Sequence, residues 1–99
     1  MQLEGARILL TGASGGIGRA IASRLAGRGA SLLLTARDEG SLAAMARELA
    51  ARGAKVEVVA ADLGSPQGNE RVAAAAERFG ADVLINNAGT NVFGLLEQI

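Results

Sequence analysis

Ninety-nine residues of 10.0 kDa leave room for one domain, and a chain that is 49% hydrophobic and 20% charged is too apolar to stay disordered. Ten basic side chains balance ten acidic ones, so no global field draws nucleic acid or an anionic membrane. Cysteine, histidine, tryptophan and tyrosine are all absent, which excludes disulfides, thiolate and imidazole metal sites, and any catalysis by imidazole, thiol or phenol within these residues.

The start, Met1-Gln2-Leu3-Glu4-Gly5-Ala6-Arg7, holds an acid and a base before a short apolar run. A signal peptide needs a longer apolar stretch, and a membrane span needs about 20 apolar residues. A cytoplasmic chain is expected, with neither membrane nor nucleic acid as partner.

The chain alternates strand and helix. Ala6 to Thr11 (ARILLT) is an apolar run ended by glycine, which suits a buried parallel strand. Ile17, Ala20, Ile21 and Leu25 then recur at helical spacing, and Gly27 and Gly29 close that helix. Ser31 to Ala36 (SLLLTA) predicts a second strand, followed by a helix whose buried face is Leu42, Met45, Ala46 and Leu49, with Gly53 at its end. Lys55 to Ala61 predicts a third strand. Ser65 as N-cap with Pro66 at the first helical position marks the next helix, lined by Val72, Ala75, Ala76 and Phe79 and stopped by Gly80. Asp82 to Asn86 predicts a fourth strand, and Leu95, Leu96 and Ile99 the apolar face of a fourth helix. Short joints between such elements force right-handed crossovers and a parallel sheet covered on both faces. Because the last helix has barely begun at Ile99, the chain reads as the front portion, 1–99, of a longer single domain.

The first joint, Thr11-Gly12-Ala13-Ser14-Gly15-Gly16-Ile17-Gly18, follows a strand and opens a helix, the context of a phosphate-binding loop. Gly12 permits a sharp turn, Gly16 permits close approach of a pyrophosphate, and Gly18 permits close helix packing. The helix N-terminus then offers N–H groups and a positive dipole end to an anion. A Walker loop is excluded, since no Gly-Lys-Ser/Thr follows.

Thr11-Gly12-x-x-x-Gly16-x-Gly18 resembles the cofactor loop of the short-chain dehydrogenase/reductase family. Asn86-Asn87-Ala88-Gly89 at the end of the fourth strand matches that family's second signature, and Asp62-Leu63 after the third strand matches another. The resemblance implies a Rossmann-type doubly wound sheet of order 3-2-1-4, and a dinucleotide crevice between strands one and four. It implies cofactor contacts from Thr11, Gly12, Ser14, Gly15, Gly16, Ile17 and Gly18 in the first loop. Asp62, with Leu63 beside it, would accept the adenine amino group; an Asx-turn before the Ser65 cap is the alternative use of that carboxylate. Asn87, Ala88 and Gly89 would lie near the nicotinamide ribose, and Thr11 would tie the first loop to that segment. Thr11 and Asn86 as buried polar groups satisfying loop backbone is an equal account.

Strand two ends Thr35-Ala36-Arg37-Asp38. Where the family's NAD-preferring members place an acid, this chain has Ala36, and Arg37 resembles a clamp for the 2′-phosphate of NADP(H). Asp38, about 20 residues past Gly18, is where a Rossmann acid would favour NAD(H); a solvated Arg37–Asp38 pair is the third account. Gly15 departs from the basic residue found there in many NADP(H) members. The family's catalytic Tyr-x-x-x-Lys pair has no counterpart: tyrosine is absent and Lys55 is the sole lysine. No catalytic and no metal-ligating residue is therefore assigned, and these residues alone are expected to be inactive.

The function expected is the cofactor-binding portion of an NADP(H)-dependent oxidoreductase. It would exchange hydride between nicotinamide and a small carbonyl or alcohol substrate, in a homo-oligomer. A non-catalytic nucleotide-binding module is the alternative from another class. An adenosylmethionine-dependent methyltransferase is disfavoured by Asn86-Asn87-Ala88-Gly89. Val83 to Ile85 is expected to form a bare strand edge able to pair with another copy.

Overall fold

The computed structural model describes residues 3–87. Its elements are β1 (Arg7–Thr11), α1 (Gly16–Gly27), β2 (Ser31–Ala36), α2 (Glu39–Ala51), β3 (Val56–Ala60), α3 (Pro66–Phe79) and β4 (Val83–Asn86). The expected fourth helix, together with Ala88 and Gly89, lies outside the described residues.

The strands form one parallel sheet of order β3-β2-β1-β4, as the sequence predicts. In register, Thr11 stands beside Thr35 on one side and Asn86 on the other. Among the described strands β4 is an edge, and β3 is the opposite one.

Alternation along each strand builds two cores. Ile8, Leu10, Leu32 and Leu34 face α1 and α2, where they meet Ala22, Leu25, Leu42, Met45 and Leu49. Leu9 and Leu33 face the other way and pack with Val72, Ala75, Ala76 and Phe79 of α3. Strands apolar on both faces are what a sheet sandwiched between helices requires, and LLL in β2 supplies it.

The predicted stripe of α1 needs correction. Ile17 is 72% exposed, Ala20 is exposed and Ile21 only half-buried; Gly18, Ala22 and Leu25 are the buried residues. The stripe is rotated because Gly18 is the point of contact. A Cβ there would overlap the Gly12 carbonyl oxygen and lie 2.9 Å from the Ala13 Cα. With Gly18 turned inward, Ile17 in the same first turn is left at the open end of the sheet.

The far end of the sheet is tied by Arg7 at the start of β1. Its guanidinium donates to the Phe79 carbonyl at 2.7 Å, satisfying an orphan carbonyl at the C-terminus of α3. The Arg7 N–H donates to Asp82 Oδ2 at 3.1 Å, and the Asp82 N–H returns to the Arg7 carbonyl at 2.7 Å. β1 is thereby referenced to α3 and to the entry of β4.

The three helices begin differently. Ser65 caps α3, its hydroxyl accepting from the Gly68 N–H, with Pro66 at the first position. Asp38 caps α2: Oδ1 accepts from the N–H groups of Gly40 and Ser41, and Oδ2 from the Ser41 hydroxyl at 2.9 Å. Gly15 precedes α1 and provides no side-chain cap.

The Ser41 hydroxyl is the main cause that holds the Asp38 carboxyl below its ordinary value of 3.8, aided by the Ser41 and Gly40 N–H groups. A depressed folded-state value stabilises the fold above the unfolded value, and that contribution is lost as pH falls through the folded one. Asp38→Ala should therefore lower the melting temperature at neutral pH and flatten the acid limb of stability below about pH 4, in melts followed by circular dichroism. Gly18→Ala should cost about 1–3 kcal/mol, read as a lower urea midpoint with an unchanged slope.

Candidate functional site

The carboxyl ends of the strands and the start of α1 enclose a cleft of about 780 Å3, within the range of small-molecule sites. Four short segments make its walls: Gly12 with Ser14 to Ile17, Thr35 to Asp38, Ala61 to Gly64, and Asn87. It runs across the ends of β3, β2 and β1 and reaches, through Asn87, the junction of β1 and β4 where the strand order reverses, the switch point at which open α/β sheets bind ligands.

The first wall is a turn made by Gly12, whose φ of +64° lies in the left-handed region that a side chain resists. The turn is pinned from both sides. Ala13 N–H donates to the Thr35 carbonyl at 3.1 Å, and the Gly12 carbonyl accepts from Asn87 Nδ2 at 3.2 Å and from Gly15 N–H at 3.4 Å. Gly16, by contrast, faces open space, since a Cβ there would meet no protein atom within 4 Å. The α1 N-terminus thus presents backbone N–H groups that no side chain blocks, next to clear room for an anion. Ser14 is half-buried at this wall, while Gly15, Gly16 and Ile17 are exposed.

Thr11, fully buried, joins the first wall to the last. Its hydroxyl donates to Asn86 Oδ1 at 2.8 Å and accepts from the Asn87 N–H at 3.0 Å. Thr11 hence satisfies loop backbone and links the two segments at once, whereas Asn86 is exposed and meets the Thr11 hydroxyl through its side chain.

The second wall carries Arg37 and Asp38. Both are exposed, and among the described residues Arg37 forms no ion pair. The solvated Arg37–Asp38 pair is therefore not formed, because the Asp38 carboxylate is engaged by the first turn of α2. Behind them the Thr35 hydroxyl is fully buried with no hydrogen-bond partner among the described residues. An unmet hydroxyl of this kind costs about 1–3 kcal/mol.

The third wall holds Asp62 and Leu63. Asp62 is exposed to the cleft, and its Oδ1 accepts from the Gly64 N–H at 2.8 Å, the Asx-turn that the sequence offers as the alternative use of this carboxylate. Leu63 is buried against α3 and anchors this loop.

Of the residues singled out in the sequence, the cleft collects Gly12, Ser14, Gly15, Gly16, Ile17, Arg37, Asp62, Leu63 and Asn87. Thr11 and Gly18 lie behind the wall as supports, and Ala88 and Gly89 are outside the described residues. The sequence reading missed Asp38 as a helix cap. The signal was present in Asp38 followed by Ser41, a cap-and-first-turn spacing. Among the described residues no three acidic side chains cluster as a metal site, and no helix is long and apolar enough to cross a membrane.

Comparison with known proteins follows the same lines. The family described as short chain dehydrogenase matches residues 6–99. A metagenomic short-chain oxidoreductase solved with NADP is 43% identical, with a TM-score of 0.80, over 95% of this chain and 43% of its own. L-sorbose reductase from Gluconobacter frateurii, solved with NADPH and L-sorbose, is 40% identical with a TM-score of 0.83, over 91% of this chain and 36% of its own. A short-chain dehydrogenase/reductase from Burkholderia phymatum, solved with NAD, is 36% identical with a TM-score of 0.76, over 85% of this chain and 31% of its own. Among curated proteins compared by sequence, none matches. The chain spans less than half the length of these solved relatives. The glycine loop, the Asn86-Asn87 segment tied to it and the match over residues 6–99 make this chain a member of the short-chain dehydrogenase/reductase family.

Proposed function

We propose that residues 1–99 are the cofactor-holding part of an NADP(H)-dependent oxidoreductase acting on a small carbonyl or alcohol substrate. The observation that carries this is the α1 N-terminus, uncapped and open to the cleft, with the exposed Arg37, in no ion pair among the described residues, on the neighbouring wall. A dinucleotide phosphate needs both features: backbone N–H groups for its pyrophosphate and a cation for its 2′-phosphate.

The residues divide the ligand between them. The first-turn N–H groups of α1, with Ser14 beside them, hold the pyrophosphate, and Gly15 and Gly16 leave room for it. Arg37 holds the 2′-phosphate. Asp62 and the Leu63 backbone hold the adenine edge. Asn87, Ala88 and Gly89 flank the ribose on the nicotinamide side, where Ile17 presents an apolar surface. Thr11 keeps these two groups of residues in step through Asn86 and the Asn87 N–H.

NADP(H) is favoured over NAD(H) because Asp38 already accepts three hydrogen bonds from Gly40 and Ser41. A carboxylate so held is drawn into α2 rather than toward a ribose. Two of the relatives described above were solved with NADP or NADPH and one with NAD, so the family accommodates both. When bound, the nicotinamide supplies or accepts hydride. What this chain contributes is grip and orientation, and a cytoplasmic homo-oligomer is the setting proposed for it.

Arg37→Ala in the full-length protein should weaken NADP(H) by roughly 10- to 100-fold and NAD(H) little, since a charge-assisted bond contributes about 1.5–3 kcal/mol. Titration of both cofactors by fluorescence measures this; equal losses would leave Arg37 only a structural role.

Residues 1–99 alone should show no turnover with NADPH and a panel of aldehydes and ketones. Hydride delivery to a carbonyl requires a proton donor at the developing oxyanion, and the only lysine, Lys55, stands just before β3, away from the cleft. The absence of tyrosine favours a binding role for this part taken by itself. Cofactor oxidation above a blank, abolished by Gly16→Trp, would show that a donor within these residues has been overlooked.

A further inference from the structure

The β3–α3 loop is held unusually close to the helix that follows it. The Asp62 carbonyl accepts from the N–H and from the hydroxyl of Ser65, each at 3.1 Å. That same hydroxyl accepts from the Gly68 N–H at 3.0 Å. Gly68 is buried in the first turn of α3. A Cβ at Gly68 would overlap the Asp62 carbonyl oxygen and lie 2.7 Å from its carbonyl carbon and 3.0 Å from its nitrogen. Those are backbone atoms, which cannot swing aside as a side chain could.

Glycine is among the poorest helix formers, so its place in this turn runs against local propensity. The close approach accounts for it. Any larger residue at position 68 must displace the Asp62 peptide, and with it the carboxylate on the cleft wall. On that wall Oδ1 is taken by the Gly64 N–H, which orients the carboxylate and leaves Oδ2 as the remaining acceptor.

We infer that Gly68 and the Ser65 hydroxyl are positioning residues that set the Asp62 carboxylate to select a 6-amino purine over a 6-oxo purine in the cofactor. This rests on the proposed role of Asp62 as acceptor of the adenine amino group. The selection is chemical. An amino group donates to Oδ2, whereas a 6-oxo group places one acceptor against another, and the mismatch leaves a desolvated carboxylate oxygen unmet. An error in the Asp62 peptide position moves Oδ2 out of the ring plane and weakens the distinction without touching the pyrophosphate loop or Arg37.

The test is the ratio of dissociation constants for NADPH and its deamino analogue, which carries hypoxanthine, measured on the full-length protein by fluorescence titration. The natural protein should prefer NADPH by about tenfold or more. Gly68→Ala should bring the ratio close to one, mainly by weakening NADPH. Asp62→Ala should do the same. If Asp62→Ala abolishes the preference and Gly68→Ala keeps it, the positioning role of Gly68 is overturned while the Asp62 contact stands. If the natural protein shows no preference, or Asp62→Ala retains one, the Asp62 contact itself fails and this inference with it. Should Gly68→Ala not fold, Ser65→Ala and Ser65→Thr carry the test. The first removes the hydroxyl beneath Asp62 and should lose the preference, and the second restores a hydroxyl and should keep it; a preference unchanged in Ser65→Ala would overturn the proposal. A purely structural role would lower stability and both affinities alike, leaving the ratio where it was.

Discussion

The carbonyl oxygen of Gly12 is the point on which the arrangement turns. It accepts the Asn87 side-chain amide and the Gly15 N–H, and Gly18 of α1 packs directly against it. One oxygen therefore relates the end of β1, the start of α1 and the segment after β4. Its position demands a left-handed turn at Gly12 and the absence of a side chain at Gly18. With those two requirements met, the loop between them has little freedom, and the N-terminus of α1 is delivered to the cleft in one orientation.

The treatment of helix starts separates scaffold from binding surface. Asp38 and Ser65 each satisfy the first turn of their own helix, so α2 and α3 begin with their donors partly occupied. At α1 the donors are left to whatever enters the cleft. Both capping residues also shape the cleft wall: Asp38 by being drawn back toward α2 beside Arg37, and Ser65 by gripping the peptide of Asp62. The fold and the cleft wall share the same side chains here.

Much of this was legible in the sequence because the signals were local. Runs such as Ile8-Leu9-Leu10 and Leu32-Leu33-Leu34, each bounded by glycine or polar residues, define strands buried on both faces, and the sheet order followed from the family resemblance. The Ser65-Pro66 start and the left-handed Gly80 stop delimit α3 as expected. Ile17 was misplaced because helical spacing identifies a stripe without saying which residue touches the sheet; the collision at Gly18 settles that, and it depends on a loop folded back from before the helix. Arg7 gave no signal, since its partners Phe79 and Asp82 lie more than 70 positions away. Gly68 was equally silent, as a close approach between two backbones has no signature in composition. For Asp38 the sequence suggested a ribose acid or a solvated pair with Arg37, and the cap went unread because one residue of helix boundary decides whether Asp38 stands before α2 or within it.

The bond between Thr11 and Asn86 spans 75 positions, and the pairing of β1 with β4 spans the same distance. Closing so long a loop carries an entropic cost that the nearer β1–β2 and β2–β3 crossovers do not share to the same degree. A chain made from its N-terminus can assemble β3-β2-β1 with α1 and α2 while the outer edge of β1 is still bare. The crevice at the switch point then comes into being only when β4 docks. A ligand that enters the crevice binds the arrangement with β4 docked and draws that docking equilibrium forward by mass action. Any ligand of the crevice is in this way a folding partner of β4.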